Sequence, residues 1–149
     1  CELARVDRGG HARDLGRVLE IGLGCGYQAA VLGELAREVY TVEIVAALAL
    51  ESAARLAALD YRNVSARSAD GYHGWPAHAP FDAIMVTAAA PAVPPALIEQ
   101  LKPRGKLVIP VGTQWGGQEL LVIQKSADGK TTSRSALAVR FVPLTRELE

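Results

Sequence analysis

Glu20, Glu43, Asp70 and Thr87 each close or follow a short apolar run, and the glycines Gly22, Gly24 and Gly26 come directly after the first of them. These residue types suit close, polar recognition of a small molecule. Glycines let a loop turn tightly and bring its backbone against a ligand. A carboxylate accepts hydrogen bonds from hydroxyls and amines. The spacing narrows the ligand. A dinucleotide fingerprint, G-x-G-x-x-G, would need glycine at Tyr27. Here the run is G-x-G-x-G with Glu20 two residues ahead of it. That acid sits badly beside a pyrophosphate and well beside a cationic amino group. Glu43 can accept from both hydroxyls of a ribose and would repel a 2′-phosphate. Asp70 with Gly71 suits the edge of an adenine, the carboxylate accepting from the exocyclic amine. Asp-Gly is equally a common turn, and a glycine loop alone is also compatible with a tight structural turn.

Positioning these groups requires strand ends that converge. Arg17 to Ile21 reads as a short strand, and Tyr27 to Arg37 carries apolar residues at helical spacing. Glu38 to Val42 is a second strand closed by Glu43, followed by an alanine- and leucine-rich helix to about Leu59. Asn63 to Arg67 suggests a third strand, and Phe81 to Val86 a buried fourth. Pro94-Pro95 opens a short helix through Leu101, Pro103 ends it, and Lys106 to Val111 is a fifth strand. Glu119 to Lys125 and Thr132 to Val142 are strand-like runs around an Asp128-Gly129 hairpin signal. Alternating strands and helices followed by a hairpin predict an α/β fold, a doubly wound and mostly parallel sheet with an antiparallel C-terminal hairpin, forming one domain. In such sheets ligands bind beyond the carboxyl ends of the strands, where the suspicious residues fall. The pattern of an acid followed by G-x-G-x-G is the one methyltransferases use for S-adenosylmethionine, the cofactor expected here.

Composition excludes several classes. Sixteen basic and sixteen acidic residues balance to zero net charge. Arg5, Arg8, Arg13 and Arg17 are interleaved with Glu2, Asp7 and Asp14, a solvated surface and not a nucleic-acid stripe. Cys1 and Cys25 make no disulfide framework. His73 and His78, five apart around Trp75 and Pro76, lack the spacing of metal ligands and read as loop residues. The alanine-rich stretch from Val45 to Leu59 carries Glu51 and Arg55, so no membrane span is expected, and no signal-peptide pattern is present. The expected setting is cytoplasmic. The chain begins at Cys1 and its single methionine is Met85, from which a fragment or a removed upstream segment is expected.

The run Val18 to Gly22 continuing through Gly24-Cys25-Gly26-Tyr27-Gln28 to Leu32 resembles the protein-L-isoaspartate O-methyltransferases. So do Asp70-Gly71-Tyr72, Gly74-Trp75-Pro76, Ala79 to Ile84, Val86 to Pro91, Val108 to Gly112 and Phe141 to Leu144. The Val-Thr-Ala-Ala-Ala-Pro and Phe-Val-Pro-Leu elements are specific to that family. The resemblance implies a Rossmann-like class I methyltransferase fold. It implies that Glu20 and the loop Gly22, Leu23, Gly24 and Gly26 hold the methionine moiety, Glu43 the ribose, and Asp70 with Gly71 the adenine. Thr87 and Ala88 would line the floor between cofactor and substrate, and Val142 would pair with the backbone of an isoaspartyl peptide. Leu23 and Cys25 stand where the family commonly has small polar residues, and Arg104 replaces a glycine. The family's Ile-Ser-Gln-Pro segment, whose serine holds the substrate carboxylate, has no match in this sequence, so no catalytic residue is assigned. Residues 1 to 8 read as the end of the helix that follows that segment.

The implied reaction transfers a methyl group to the free α-carboxylate of L-isoaspartyl residues in damaged proteins, a repair function. Two rival readings stand beside it. One is a cofactor-binding fragment inactive without its N-terminal segment; the other is a methyltransferase with a different acceptor.

Overall fold

The computed structural model describes residues 15–146. Its strands are β1 (Arg17–Ile21), β2 (Glu38–Glu43), β3 (Val64–Ser68), β4 (Phe81–Val86), β5 (Leu101–Thr113), β6 (Gly117–Lys125) and β7 (Thr131–Val139). They form one sheet in the order β3-β2-β1-β4-β5-β6-β7. The first five run parallel, and β6 is antiparallel to both of its neighbours, as the alternation and the hairpin signal predict. Helices α1 (Tyr27–Leu35), α2 (Ala46–Ala58) and the short α3 (Pro95–Glu99) make crossovers, and two single 3₁₀ turns, Gly71–His73 and Pro76–His78, carry the chain from β3 to β4. None of the helices among the described residues is long and apolar enough to cross a membrane.

The central strands are apolar on both faces because both faces are covered. Leu19, Ile21, Val42, Phe81, Ile84, Leu107 and Ile109 build one core layer. Val18, Val39, Ala83 and Val108 build the other, under Leu32 and Ala36. Helix α1 stops two residues before the predicted Arg37. Ala36 is already extended (φ −116°), and the Arg37 and Glu38 amides both donate to the Gly16 carbonyl, which leads the chain into β2 at Glu38.

Several C-terminal boundaries differ from the sequence reading: α3 ends at Glu99, β5 runs on to Thr113 and β6 begins at Gly117, and two further differences are larger. Strand β5 begins at Leu101, not Lys106. Leu101 pairs with Phe81, but the next pair is Ala83 with Lys106, so the intervening residues bulge out of the ladder. Pro103 sits inside that bulge, where its missing N–H costs no ladder bond. Arg104 takes up a left-handed conformation there, φ +67°. A non-glycine residue is disfavoured in this region by roughly 1–2 kcal/mol, partly offset by the greater unfolded-state freedom of glycine. Arg104→Gly is therefore expected to stabilise the fold by about 0.5–1 kcal/mol, a rise of roughly 2–3 °C in a thermal melt; a lower melting temperature would contradict this account.

The second difference is β7, which ends at Val139 and not at Val142. Past that point the chain leaves the sheet edge and crosses to the end of β4. There the Ala89 amide donates to the Val142 carbonyl and the Leu144 amide to the Ala89 carbonyl, each at 2.8 Å. The expectation for residues 1 to 8 lies outside the described residues.

Candidate cofactor and acceptor site

A cavity of about 330 Å³ opens beyond the carboxyl ends of β1, β2 and β4, the place where open α/β sheets bind ligands. Gly22, Gly24, Glu43, Gly71, Thr87 and Ala88 line it, Ile44, Val45 and Leu48 add an apolar side, and residues 142–145 form a further wall.

The glycine loop is held open by contacts from three directions. Gly22 has φ +97°, and a Cβ there would overlap the Thr87 hydroxyl. That hydroxyl lies 2.7 Å from the Gly22 carbonyl and 3.0 Å from the Ile21 carbonyl, tying the end of β1 to the end of β4. Glu43 accepts from the Gly24 amide at 2.9 Å with one oxygen and from the Val45 amide at 3.0 Å with the other. From α2, Ser52 donates to the Gly24 carbonyl and Arg55 to the Cys25 carbonyl, both at 2.6 Å. Gly26 supplies the left-handed start of α1 (φ +88°). Gly71 must be glycine for a different reason, since a Cβ would run into Ile21.

Glu20 is fully buried in β1. One carboxyl oxygen accepts from the Thr41 hydroxyl at 2.6 Å; the other has no hydrogen-bond partner among the described residues. Burial pushes the carboxyl up to about 8, the nearby Glu43 charge adds to the rise, and the Thr41 hydrogen bond opposes it. An unpaired buried carboxyl oxygen is costly. Glu20 does not line the cavity, but it stands one residue before the end of β1 and two before the glycine loop, and its chemistry fits a ligand that carries a cationic nitrogen. The exposed glycine backbone and the remaining acceptor capacity of Glu43 fit a ribose-bearing group, so the residues present suit S-adenosylmethionine.

The Leu23 side chain packs with Ala29 and Leu56; the expectation there concerns its backbone. Like Glu20, Asp70 is not among the residues that line the cavity, whereas Gly71 is. One of its oxygens accepts from the Tyr72 amide at 2.9 Å, capping the 3₁₀ turn, and the other faces His73 at 3.8 Å and Arg146 at 3.9 Å. Asp-Gly thus works here first as a turn. Val142 lines the cavity with an exposed side chain, but its carbonyl is already taken by Ala89, and it lies past the strand predicted to contain it. His78 stacks on Tyr40 with ring centroids 4.0 Å apart, a packing role away from the cavity. Among the described residues no group of three or more His, Cys, Asp or Glu could hold a metal ion.

A family model described as protein-L-isoaspartate(D-aspartate) O-methyltransferase matches residues 11–149. The chain belongs to this family. A protein-L-isoaspartate O-methyltransferase 2 of Polaromonas sp. is 54% identical over 144 residues, 97% of this chain and 65% of that protein. The chain spans about half the length of other similarly named relatives. A solved protein-L-isoaspartate O-methyltransferase structure is 30% identical with a TM-score of 0.82, covering 89% of this chain and 43% of that one. A Plasmodium falciparum structure, described as a family member in complex with S-adenosyl-L-homocysteine, shares the fold at 24% identity and a TM-score of 0.72, over 91% of this chain and 68% of that one. The O-methyltransferase family thus shares this chain's fold.

Sequence reading missed Ser52, Arg55 and the wall residues Pro143 to Thr145. Ser52 had a usable signal: a buried hydroxyl on the face of α2 that should be apolar, one turn before Leu56. For the wall the signal was the Phe141 to Leu144 resemblance; its route was not legible, because nothing local shows that a chain leaving one sheet edge crosses to the end of another strand.

Proposed function

We propose that this chain binds S-adenosylmethionine and directs methyl transfer to the free α-carboxylate of L-isoaspartyl residues in damaged proteins. The observation that carries this reading is the convergence of the Gly22–Gly26 loop, Glu43, Gly71 and Thr87–Ala88 on one cavity in a chain of this family. Bound S-adenosylmethionine supplies an electrophilic methyl group on a positively charged sulfonium. An α-carboxylate with a pKa of about 3.5 is already ionised at neutral pH, so the chain needs no general base. Its residues have simpler tasks. Glu43 and the loop amides hold the cofactor, Glu20 answers its amino group, and Thr87 with Ala88 sets the floor on which an oxygen nucleophile is placed. Such positioning contributes several kcal/mol to a rate. The exposed apolar side chains of Val45 and Leu48 give a bound cofactor a surface that sheds water on burial, which favours a reaction in which opposite charges cancel.

Supporting this assignment, the chain reads as one domain around a single sheet, and the exposed, unbonded Cys25 suits a reducing cytoplasm. The partners are isoaspartyl peptides and proteins. The test is transfer of labelled methyl from S-adenosylmethionine to an isoaspartyl peptide, with the matching aspartyl peptide as control. Label on the isoaspartyl peptide alone is expected, and equal labelling of both would overturn the acceptor assignment. One observation favours a second reading: the chain spans 65% or less of several relatives' length. Calorimetric cofactor binding without transfer would select a cofactor-binding unit whose acceptor side is completed elsewhere.

A further inference from the structure

We infer that Gln118 is a positioning residue for the acceptor side of the site, acting through the wall formed by residues 142–145; the inference rests on the function proposed above. Gln118 is 7% exposed, a buried amide near the start of β6. Its carbonyl oxygen accepts from the Phe141 amide at 2.7 Å, and its nitrogen donates to the Phe141 carbonyl at 3.1 Å. Both ends of one side chain are spent on one backbone residue.

The sheet explains why this is needed. Gln118 is paired with Gly112 on one side and with Val139 on the other, the last rung of the β6–β7 ladder. At Gly117 (φ +83°) β6 turns away, so no backbone remains there to pair with Phe141. The side-chain amide stands in for the missing rung, and it fixes where the chain leaves the edge. One residue later the Val142 carbonyl meets Ala89, then Leu144 pairs back, and residues 142–145 become cavity wall beside Ala88. Gln118 does not line the cavity. Its influence falls first on the Val142 end, next to Thr87 and Ala88. The Gly71 end of the wall is held separately, by Arg146 stacked 4.2 Å from the Tyr72 ring.

The test compares Gln118→Leu, which keeps the volume and removes both hydrogen bonds, with Gln118→Glu, which keeps the acceptor for Phe141 N–H and loses the donor. Asn63→Leu is the stability control, since it also removes two side-chain hydrogen bonds to backbone, to Gly33 and Ala36. Hydrogen exchange across 141–144 and equilibrium binding of an isoaspartyl peptide, with S-adenosylhomocysteine present, are read for each. In Gln118→Leu the Ala89 and Leu144 amides should exchange about tenfold faster or more, and peptide affinity should fall about tenfold. Affinity for S-adenosylhomocysteine should change less than about threefold, and Gln118→Glu should be intermediate. Unchanged exchange at 141–144 overturns the inference, and so does faster exchange with unchanged peptide affinity. An equal loss of peptide affinity in Asn63→Leu also overturns it, because the effect would then be general destabilisation. Failure of the unaltered chain to bind or methylate the peptide would instead overturn the functional reading on which the inference stands.

Discussion

Glu43→Ala is expected to weaken binding of S-adenosylhomocysteine by about a hundredfold or more, measured by calorimetry. The carboxylate has two tasks at once. It accepts from the Gly24 and Val45 amides, which fixes the glycine loop against the start of α2, and its remaining lone pairs face a cavity suited to a ribose. Hydrogen bonds to a charged group contribute about 1.5–3 kcal/mol each, so losing two cofactor contacts corresponds to at least a hundredfold. The loop amides released by the substitution can reach water through the cavity, and the cost in stability should stay near about 1–2 kcal/mol. Glu43→Gln should fall between, because an amide nitrogen cannot accept from the N–H that it replaces an oxygen for. A Glu43→Ala protein that binds within about threefold of the original would show that the carboxylate serves only the loop.

Glu20→Gln is expected to act in opposite directions on stability and on binding. With its carboxyl held up to about 8 against an ordinary 4.5, the folded protein keeps a proton that the unfolded chain has released over that whole interval. Stability from this group is therefore fully present below about pH 4.5 and is lost as pH rises toward 8. Each unit of displacement corresponds to about 1.4 kcal/mol. Glutamine has nearly the same shape, can still meet Thr41, and has no charge to bury. At pH 5 the two proteins should melt alike. At pH 8 the variant should melt higher, by roughly 5–10 °C, while losing cofactor affinity because no anion remains for the amino group. Parallel melting profiles across this range would remove Glu20 as the buried titrating group. A natural protein that keeps so costly a carboxyl trades stability for a binding function.

Much of this could be read along the chain because the information is local. A strand buried on both faces has to be a continuous apolar run, so Val18-Leu19 and Phe81 to Val86 announce central strands, and an acid inside the first of them stands out. Glycines with positive φ next to a strand end mark a backbone kept clear of side chains. Alternation of strand and helix dictates parallel pairing because each helix carries the chain back to the end of the sheet at which the previous strand began.

What local pattern could not supply is where the C-terminal residues go. Thr132 to Val142 reads as one strand because its residue types are uniformly compatible with one. The strand nevertheless ends at Val139, because β6 turns away at Gly117 and only a side chain, Gln118, remains to hold Phe141. Pro103 reads as a stop, yet β5 passes through it, because a bulge needs no N–H at that position. Asp70-Gly71 reads both as a turn and as a ligand contact; the fold shows the turn, with Asp70 capping it and Gly71 lining the cavity. The sequence by itself therefore determined the sheet, the glycine loop and the acids at the strand ends, because periodicity, burial and chain reversal are properties of neighbours. Tertiary structure decided which of those acids line the cavity and what closes it, because those outcomes depend on hydrogen bonds between residues nineteen to sixty-six positions apart, such as Glu43 with Gly24 or Thr87 with Ile21.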